Sequence, residues 1–248
     1  MSHPPIEAYE ALDSTNAEAR RRAEAGSYGP VWITAGVQTA GRGRRGRAWV
    51  SDPGNLAATL LMGLTKPPAE AAQISFVAAL AAAELADACL GHGAGRLKWP
   101  NDLMVHGRKA AGILVESGPC PEGLWLAVGI GVNLSSAPEA VERPAAAFSE
   151  FGAHVPRPLD ALEVLANAFQ KWLDVWLSQG FAPIAREWTS RAFGLGEPCL
   201  VRLPASTHRG VAEGLEADGA LRLRQDDGSI LRVTAGDVFF GGDDASGH

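Results

Sequence analysis

The chain has 248 residues, 46% of them hydrophobic and 20% charged, enough apolar material for one large folded domain with a small appendage. A formal charge of −6 excludes a broad nucleic-acid-binding surface, whose affinity would come from many Lys and Arg contacts to phosphate. The three cysteines, Cys89, Cys120 and Cys199, lie far apart without Cys-x-x-Cys spacing, which excludes a disulfide framework or cysteine zinc site and fits a reducing cytoplasm.

In chain order, the first residues show no basic segment followed by an apolar run, so no secretory signal is read there. Residues 14–25 read as a helix: Thr15 and Glu18 form a capping-box pattern, and Gly26 stands where a C-terminal cap belongs. Residues 30–39 form a strand, 41–47 a glycine-rich loop, and 55–63 a second strand. A long helix covers 69–90; its apolar run is broken by Glu84 and Asp87, which suits a buried core helix better than a membrane span. Strands at 102–105 and 108–116 are joined by the two-residue turn His106-Gly107, and a third apolar run spans 124–134, so the sheet is mixed or antiparallel. Leu159, Leu162, Leu165, Phe169, Trp172, Leu173 and Trp176 recur at helical spacing up to Gly180 and form the core stripe of another helix. From Glu197 the texture changes to short alternating segments with turns at Asp218-Gly219 and Asp227-Gly228, the pattern of a small β-barrel. Residues 241–248 are expected to fray.

The basic residues are unevenly placed. Only four of the 22 are lysines (Lys66, Lys98, Lys109, Lys171), and four arginines fall within residues 41–47. Gly41-Arg42-Gly43-Arg44-Arg45-Gly46 satisfies the G-x-G-x-x-G pattern formally, but Pro53 and Gly54 follow too closely for a dinucleotide-binding helix, and no Gly-Lys-Ser/Thr makes it a P-loop. What remains is a loop whose glycines let backbone approach a ligand and whose guanidiniums can grip carboxylate or phosphate oxygens in pairs. Four neighbouring cations repel, so the empty loop is expected to be mobile and to order around a polyanion. A solvated surface turn and a short nucleic-acid contact are the alternatives, the second weakened by the lack of an aromatic stacking platform.

In Arg96-Leu-Lys98-Trp99-Pro100-Asn101-Asp102, Pro100 restricts Trp99 to extended backbone and leaves Lys98 at the end of a stiff element. An ammonium there could neutralise a carboxylate and a phosphate together; the plainer reading is a surface lysine paired with Asp102.

Ser14-Thr-Asn16, the run from Gln38 to Trp49 containing the Gly/Arg loop, Lys98-Trp-Pro-Asn-Asp102, Arg108-Lys-Ala-Ala-Gly-Ile-Leu-Val-Glu116 and Gly129-Ile-Gly-Val-Asn133 together resemble, in order and spacing, the biotin protein ligases. The resemblance runs from about Leu12 to Val238. It implies an α+β fold: a mixed sheet flanked by helices, like that of class II aminoacyl-tRNA synthetases, over 1–195, an SH3-like β-barrel over 196–240, and a flexible tail over 241–248. It also implies a two-step reaction in which biotin and Mg-ATP give biotinyl-5′-AMP and pyrophosphate, after which a lysine of a biotin carboxyl carrier protein displaces AMP. No side-chain nucleophile is required.

Carried over by position, the resemblance makes Lys98 and Arg42 the candidate catalytic cations. Ser14, Thr15, Asn16 and Gln38 would bind the ureido end of biotin, with Arg42, Gly43, Arg44 and Lys98 completing that site. Gly41, Arg44, Arg45, Arg47, Trp49, Asn101 and Asn133 would surround the nucleotide. Read without the resemblance, Ser14 and Thr15 are helix caps, Trp49 is core and Asn133 a turn residue. Mg²⁺ would be held by ATP phosphates with no protein ligand named. The expected partners are the carrier protein, biotin and ATP, with no nucleic acid and no membrane; a homodimer is allowed. The early start of the catalytic motifs implies a ligase without an N-terminal DNA-binding domain, and the stretch 143–149 resembles the family only loosely. The competing functions are a lipoate ligase or lipoyl/octanoyl transferase on the same fold, and a non-enzymatic biotin sensor or nucleic-acid module.

Overall fold

Alternating residues of two neighbouring strands divide between two cores and thereby set the layers of the molecule. The computed structural model describes residues 3–139, 144–152 and 155–241, so Arg143 and the tail beyond Gly241 lie outside the described residues. The chain opens with β1 (Ile6–Leu12), α1 (Thr15–Glu24), β2 (Val31–Gln38) and β3 (Leu56–Leu64), followed by a short helix α2 (Pro68–Ala71) and the long α3 (Ile74–Leu90). Strands β4 (Arg96–Lys98), β5 (Asp102–Val105), β6 (Arg108–Cys120) and β7 (Gly123–Val132) complete a seven-stranded sheet of order β1-β2-β3-β7-β6-β5-β4. Only the β1–β2 pairing is parallel, so the sheet is mixed.

Trp32 of β2 and Leu60 and Met62 of β3 face the core formed with α3 and α4 (Pro158–Gln179), while Val31, Ile33 and Leu61 face α1 through Ala19 and Ala23. Trp32 meets Phe169 of α4 edge to face at 5.5 Å. α3 is lined with fully buried alanines, and their small side chains let it lie close against both α4 and the sheet. Each buried Leu, Ile or Phe in this core contributes about 1.5–3 kcal/mol by leaving water. The expected helix over 69–90 is interrupted after Ala71, and Trp176 of α4 donates a hydrogen bond to Gln73 at the break (3.0 Å). Among the described residues, Pro68–Leu90 is the one segment long and apolar enough to cross a membrane, and two-thirds of its most apolar window is buried in the fold.

After α4, Gly180 adopts φ +76° and turns the chain into α5 (Phe181–Ser190), whose Phe181, Ile184 and Trp188 are buried. The remaining strands, β8 (Pro198–Arg202), β9 (Thr207–Leu215), β10 (Leu221–Gln225), β11 (Ile230–Val233) and β12 (Asp237–Phe240), form an antiparallel sheet of order β11-β10-β9-β8-β12, the SH3-like unit. Both Asp-Gly turns fall where the sequence places them, with Gly219 and Gly228 at positive φ. β1, β4, α5 and β12 are absent from the sequence reading. β1 and β4 are edge strands, and β4 has only three residues, too few to show a period.

Candidate active site

Three glycines form the floor of a cavity of about 220 Å³ on the sheet. Gly112 of β6 and Gly131 of β7 pair across the strands, and the Trp49 indole lies on them: a Cβ at Gly131 would come within 2.4 Å of the ring and one at Gly112 within 3.0 Å. A Cβ at Gly129 would meet Asn16 Oδ1 at 2.1 Å. The Gly-Ile-Gly spacing thus follows from the period of a strand, which sends both glycines to the cavity face and Ile130 to the core.

At one end the cavity is polar. Ser14 caps α1, its hydroxyl accepting from the Ala17 amide, which replaces the expected cap at Thr15. Thr15 turns instead toward Gln38, whose Oε1 accepts from the Thr15 amide (2.8 Å) and hydroxyl (3.1 Å). The buried Thr59 hydroxyl lies 2.8 Å from Thr15 Oγ1 and 2.7 Å from Asn16 Oδ1. Asn16 Nδ2 donates to Glu116 Oε2 at 2.8 Å, and Arg20 holds the other Glu116 oxygen at 3.1 Å. Neither Thr59 nor Glu116 emerges from the sequence as part of the site. Each reaches it through strand pairing rather than through a local motif.

The Gly/Arg loop closes the other side. A bridge between Arg42 and Ala48 and the Trp49 amide bonded to the Gly41 carbonyl (2.9 Å) pinch its base. Gly41 is confined to glycine there, since a Cβ would sit 2.4 Å from the Trp49 carbonyl oxygen. Residues 44–46 make one turn of 3-10 helix with Arg45 at φ 56°. Arg44 donates to Asn101 Oδ1 (3.0 Å), and Asn101 in turn donates to the Ile113 carbonyl (2.8 Å). Burial pushes the Arg44 guanidinium down from its ordinary value, opposed by the nearby Asp237. Arg45 and Arg47 both donate to Asp237 Oδ2 of β12, at 3.0 and 2.6 Å. Arg44, Arg45 and Arg47 of the loop are thus bonded to side chains far away in sequence, Asn101 and Asp237.

Of the two expected catalytic cations, Arg42 lines this cavity and Lys98 does not. The Lys98 side chain is buried at the junction with the SH3-like sheet, with the ammonium 5.8 Å from the centre of the Phe240 ring and close enough to Cys199 to oppose the burial that pushes this thiol up to about 11. The lysine in the cavity is Lys109. Its ammonium lies 2.6 Å from Asp102 Oδ1 and 5.7 Å from the centre of the Trp49 ring. The β5–β6 pairing shifts register between Leu103 and Met104, so β6 carries an extra residue there and Lys109 comes to lie beside Gly112; Lys98 is on β4, paired regularly with Asp102. Both lysines flank the same hairpin in sequence, but Lys98 stands on the edge strand β4, two strands away from Lys109 on β6.

Of the other expected residues, Ser14, Thr15, Asn16, Gln38, Arg42, Gly43, Arg44, Arg47, Trp49, Asn101 and Asn133 all line the cavity, while Gly41 and Arg45 support it from behind. Asn133 is buried and donates to the Ala146 carbonyl (3.2 Å), so it also pins the 144–148 segment beside the site. Among the described residues no group of three or more His, Cys, Asp or Glu could hold a metal ion. The cavity thus joins a neutral hydrogen-bonding end to a strongly cationic one, which suits a substrate that is polar but uncharged at one end and anionic at the other.

Residues 9–134 match the biotin/lipoate A/B protein ligase family, and residues 194–241 match the biotin protein ligase C-terminal domain. The chain belongs to this family, in its biotin protein ligase branch. Among its relatives is the biotin--[acetyl-CoA-carboxylase] ligase of Paracoccus denitrificans, 44% identical over 93% of this chain and 98% of that protein. Among solved structures it is similar to the Aquifex aeolicus biotin protein ligase in complex with biotin and ATP (TM-score 0.80, 25% identity, 95% of this chain and 97% of that one). It is also similar to the Leishmania major biotin protein ligase in complex with biotinyl-5-AMP (TM-score 0.64, 26% identity, 94% and 99%).

Proposed function

We propose that this protein activates biotin with ATP and transfers it to a lysine of the biotin carboxyl carrier protein of acetyl-CoA carboxylase or a related carboxylase. The observation that carries this reading is one cavity holding the Ser14–Gln38 hydrogen-bonding end, the arginine loop and Lys109 together. A ureido ring offers one carbonyl acceptor and two N–H donors, and the Ser14, Thr15, Asn16 and Gln38 groups can meet both kinds.

In the first step a biotin carboxylate oxygen bonds to the α-phosphorus, and the bond from phosphorus to the bridging oxygen breaks, releasing pyrophosphate. Two anions must meet, so cations fixed beforehand at the point of contact lower the barrier. Lys109, its ammonium held by Asp102, is the candidate for that point, with Arg42 and Arg44 of the loop lining the same cavity. Mg²⁺ supplied with ATP would neutralise phosphate charge, and with Asp102 and Asp237 both paired to cations it would be held by the phosphates rather than by these carboxylates. In the second step the amine of the acceptor lysine attacks the acyl carbon, AMP leaves with the bonding pair, and the amine gives up a proton. In this reading Gln38 and Asn16 serve the ureido end, and Trp49 and Asn133 lie beside the nucleotide. Free thiols at Cys89, Cys120 and Cys199 accord with a reducing compartment.

Pyrophosphate exchange into ATP dependent on biotin, followed by transfer of labelled biotin to a carrier domain, tests the reading. Exchange supported by lipoate and not by biotin would replace it with lipoate ligation. Salt-dependent DNA binding without exchange would replace it with a binding module.

A further inference from the structure

We propose that Asp237, on the SH3-like sheet, is a positioning residue for the nucleotide step: its carboxylate gathers Arg45 and Arg47 at the cavity before any ligand is bound. The inference rests on the ligase reading for the identity of that ligand and on the geometry for the rest. One oxygen, Oδ2, takes both guanidiniums, at 3.0 and 2.6 Å, and the Asp237 side chain is only 13% exposed. Arg45 sits at φ 56°, a left-handed conformation uncommon for a residue with a Cβ, at the point where its guanidinium is held. Asp237 itself is fixed by the pairing of β12 with β8 and lines the cavity.

Four arginines within seven residues repel one another and favour a spread, disordered loop unless an anion lies among them. Asp237 supplies that anion in the empty protein. A nucleotide then meets guanidiniums already collected and exchanges its phosphate oxygens for the carboxylate, rather than ordering the whole loop itself. The SH3-like unit thereby contributes to the active site through one side chain about 190 residues from the loop it holds.

Asp237→Asn and Asp237→Glu separate this role from general support of the junction. In ligand-free protein, tryptic cleavage within residues 42–47 is expected to be at least about fivefold faster in Asp237→Asn, with protection restored by ATP and biotin. The KM for ATP in biotin-dependent pyrophosphate exchange should rise about three- to tenfold, the scale of losing two partly exposed ion pairs. The Kd for biotin, measured by calorimetry, should change less than twofold, and Asp237→Glu should recover both effects. Unchanged cleavage and KM overturn the proposal. So does a lowered KM, which would make Asp237 a competitor of the phosphates, or a parallel loss of biotin and ATP affinity with a lowered Tm. If the unaltered protein shows no biotin-dependent exchange, the ligase reading fails, while the cleavage rates still decide whether Asp237 holds the loop.

Discussion

Lys109 and Lys98 differ in what surrounds each ammonium. Lys109 has a carboxylate at 2.6 Å and an aromatic face at 5.7 Å, both at the cavity wall; Lys98 is enclosed at the junction beside Phe240. Lys109→Ala removes the cation proposed to meet carboxylate and phosphate and is expected to cut the rate of biotinyl-5′-AMP formation about a hundredfold or more. Lys98→Met should shift the thermal midpoint of unfolding while keeping adenylation at least tenfold above that of Lys109→Ala. Single-turnover pyrophosphate release and thermal denaturation, measured on both variants, check the pair.

Strand β7 supports two side chains of the site through the glycines that alternate on its cavity face. Gly131→Ala would put a methyl group 2.4 Å from the Trp49 indole and force the ring off the floor, and Gly129→Ala would displace Asn16 in the same way. The first variant is expected to raise the KM for ATP tenfold or more with a smaller effect on biotin binding, and the second to reverse that order; separate titrations of the two substrates read this out. The loop acts as a second element. Arg44→Ala breaks its bond to Asn101 and should speed the escape of biotinyl-5′-AMP several-fold, measured as free intermediate in a filtrate of the reaction. Intermediate retained as in the unaltered protein would show that the loop does not close over it. The hairpin turn at His106-Gly107 and the two Asp-Gly turns were legible in sequence because each obeys a rule among near neighbours, and the start of α1 was legible to within one residue of its cap. The bulge in β5–β6 was not, since it arises from how two strands align.

At the scale of the whole molecule, the two sheets are joined through the segment that carries Lys98. Trp99 donates to the Gly219 carbonyl of the SH3-like unit (3.1 Å), Leu97 bridges to Ala192, and Arg191 reaches back to Asp87 at the end of α3 (2.8 Å). Burial alone would raise the Asp87 carboxyl, but the hydrogen bonds from Arg191 and the Gly95 amide outweigh it and hold the group below the usual carboxylate range. A carboxyl with a depressed folded pKa adds stability above its unfolded value, about 4, and loses it as pH falls through the folded value. Asp87→Asn is therefore expected to cost about 1–3 kcal/mol near pH 7, with the difference closing in acid, as urea midpoints measured across pH would show.

The sequence by itself determined the family, the two-part division of texture along the chain and a part of the cavity lining, from Ser14 to Gln38 and through the arginine loop. Glycines, caps, turns and cationic clusters are chemical requirements written in consecutive residues, and several such segments in the right order are specific together where each alone is weak. Only the tertiary structure decided which lysine lines the cavity, that Thr59 and Glu116 join the hydrogen bonds at its polar end, and that Asp237 pairs with Arg45 and Arg47. These depend on strand register and on the packing of one sheet against the other, and contacts between residues 100 or 190 apart leave no periodic trace in the chain that makes them.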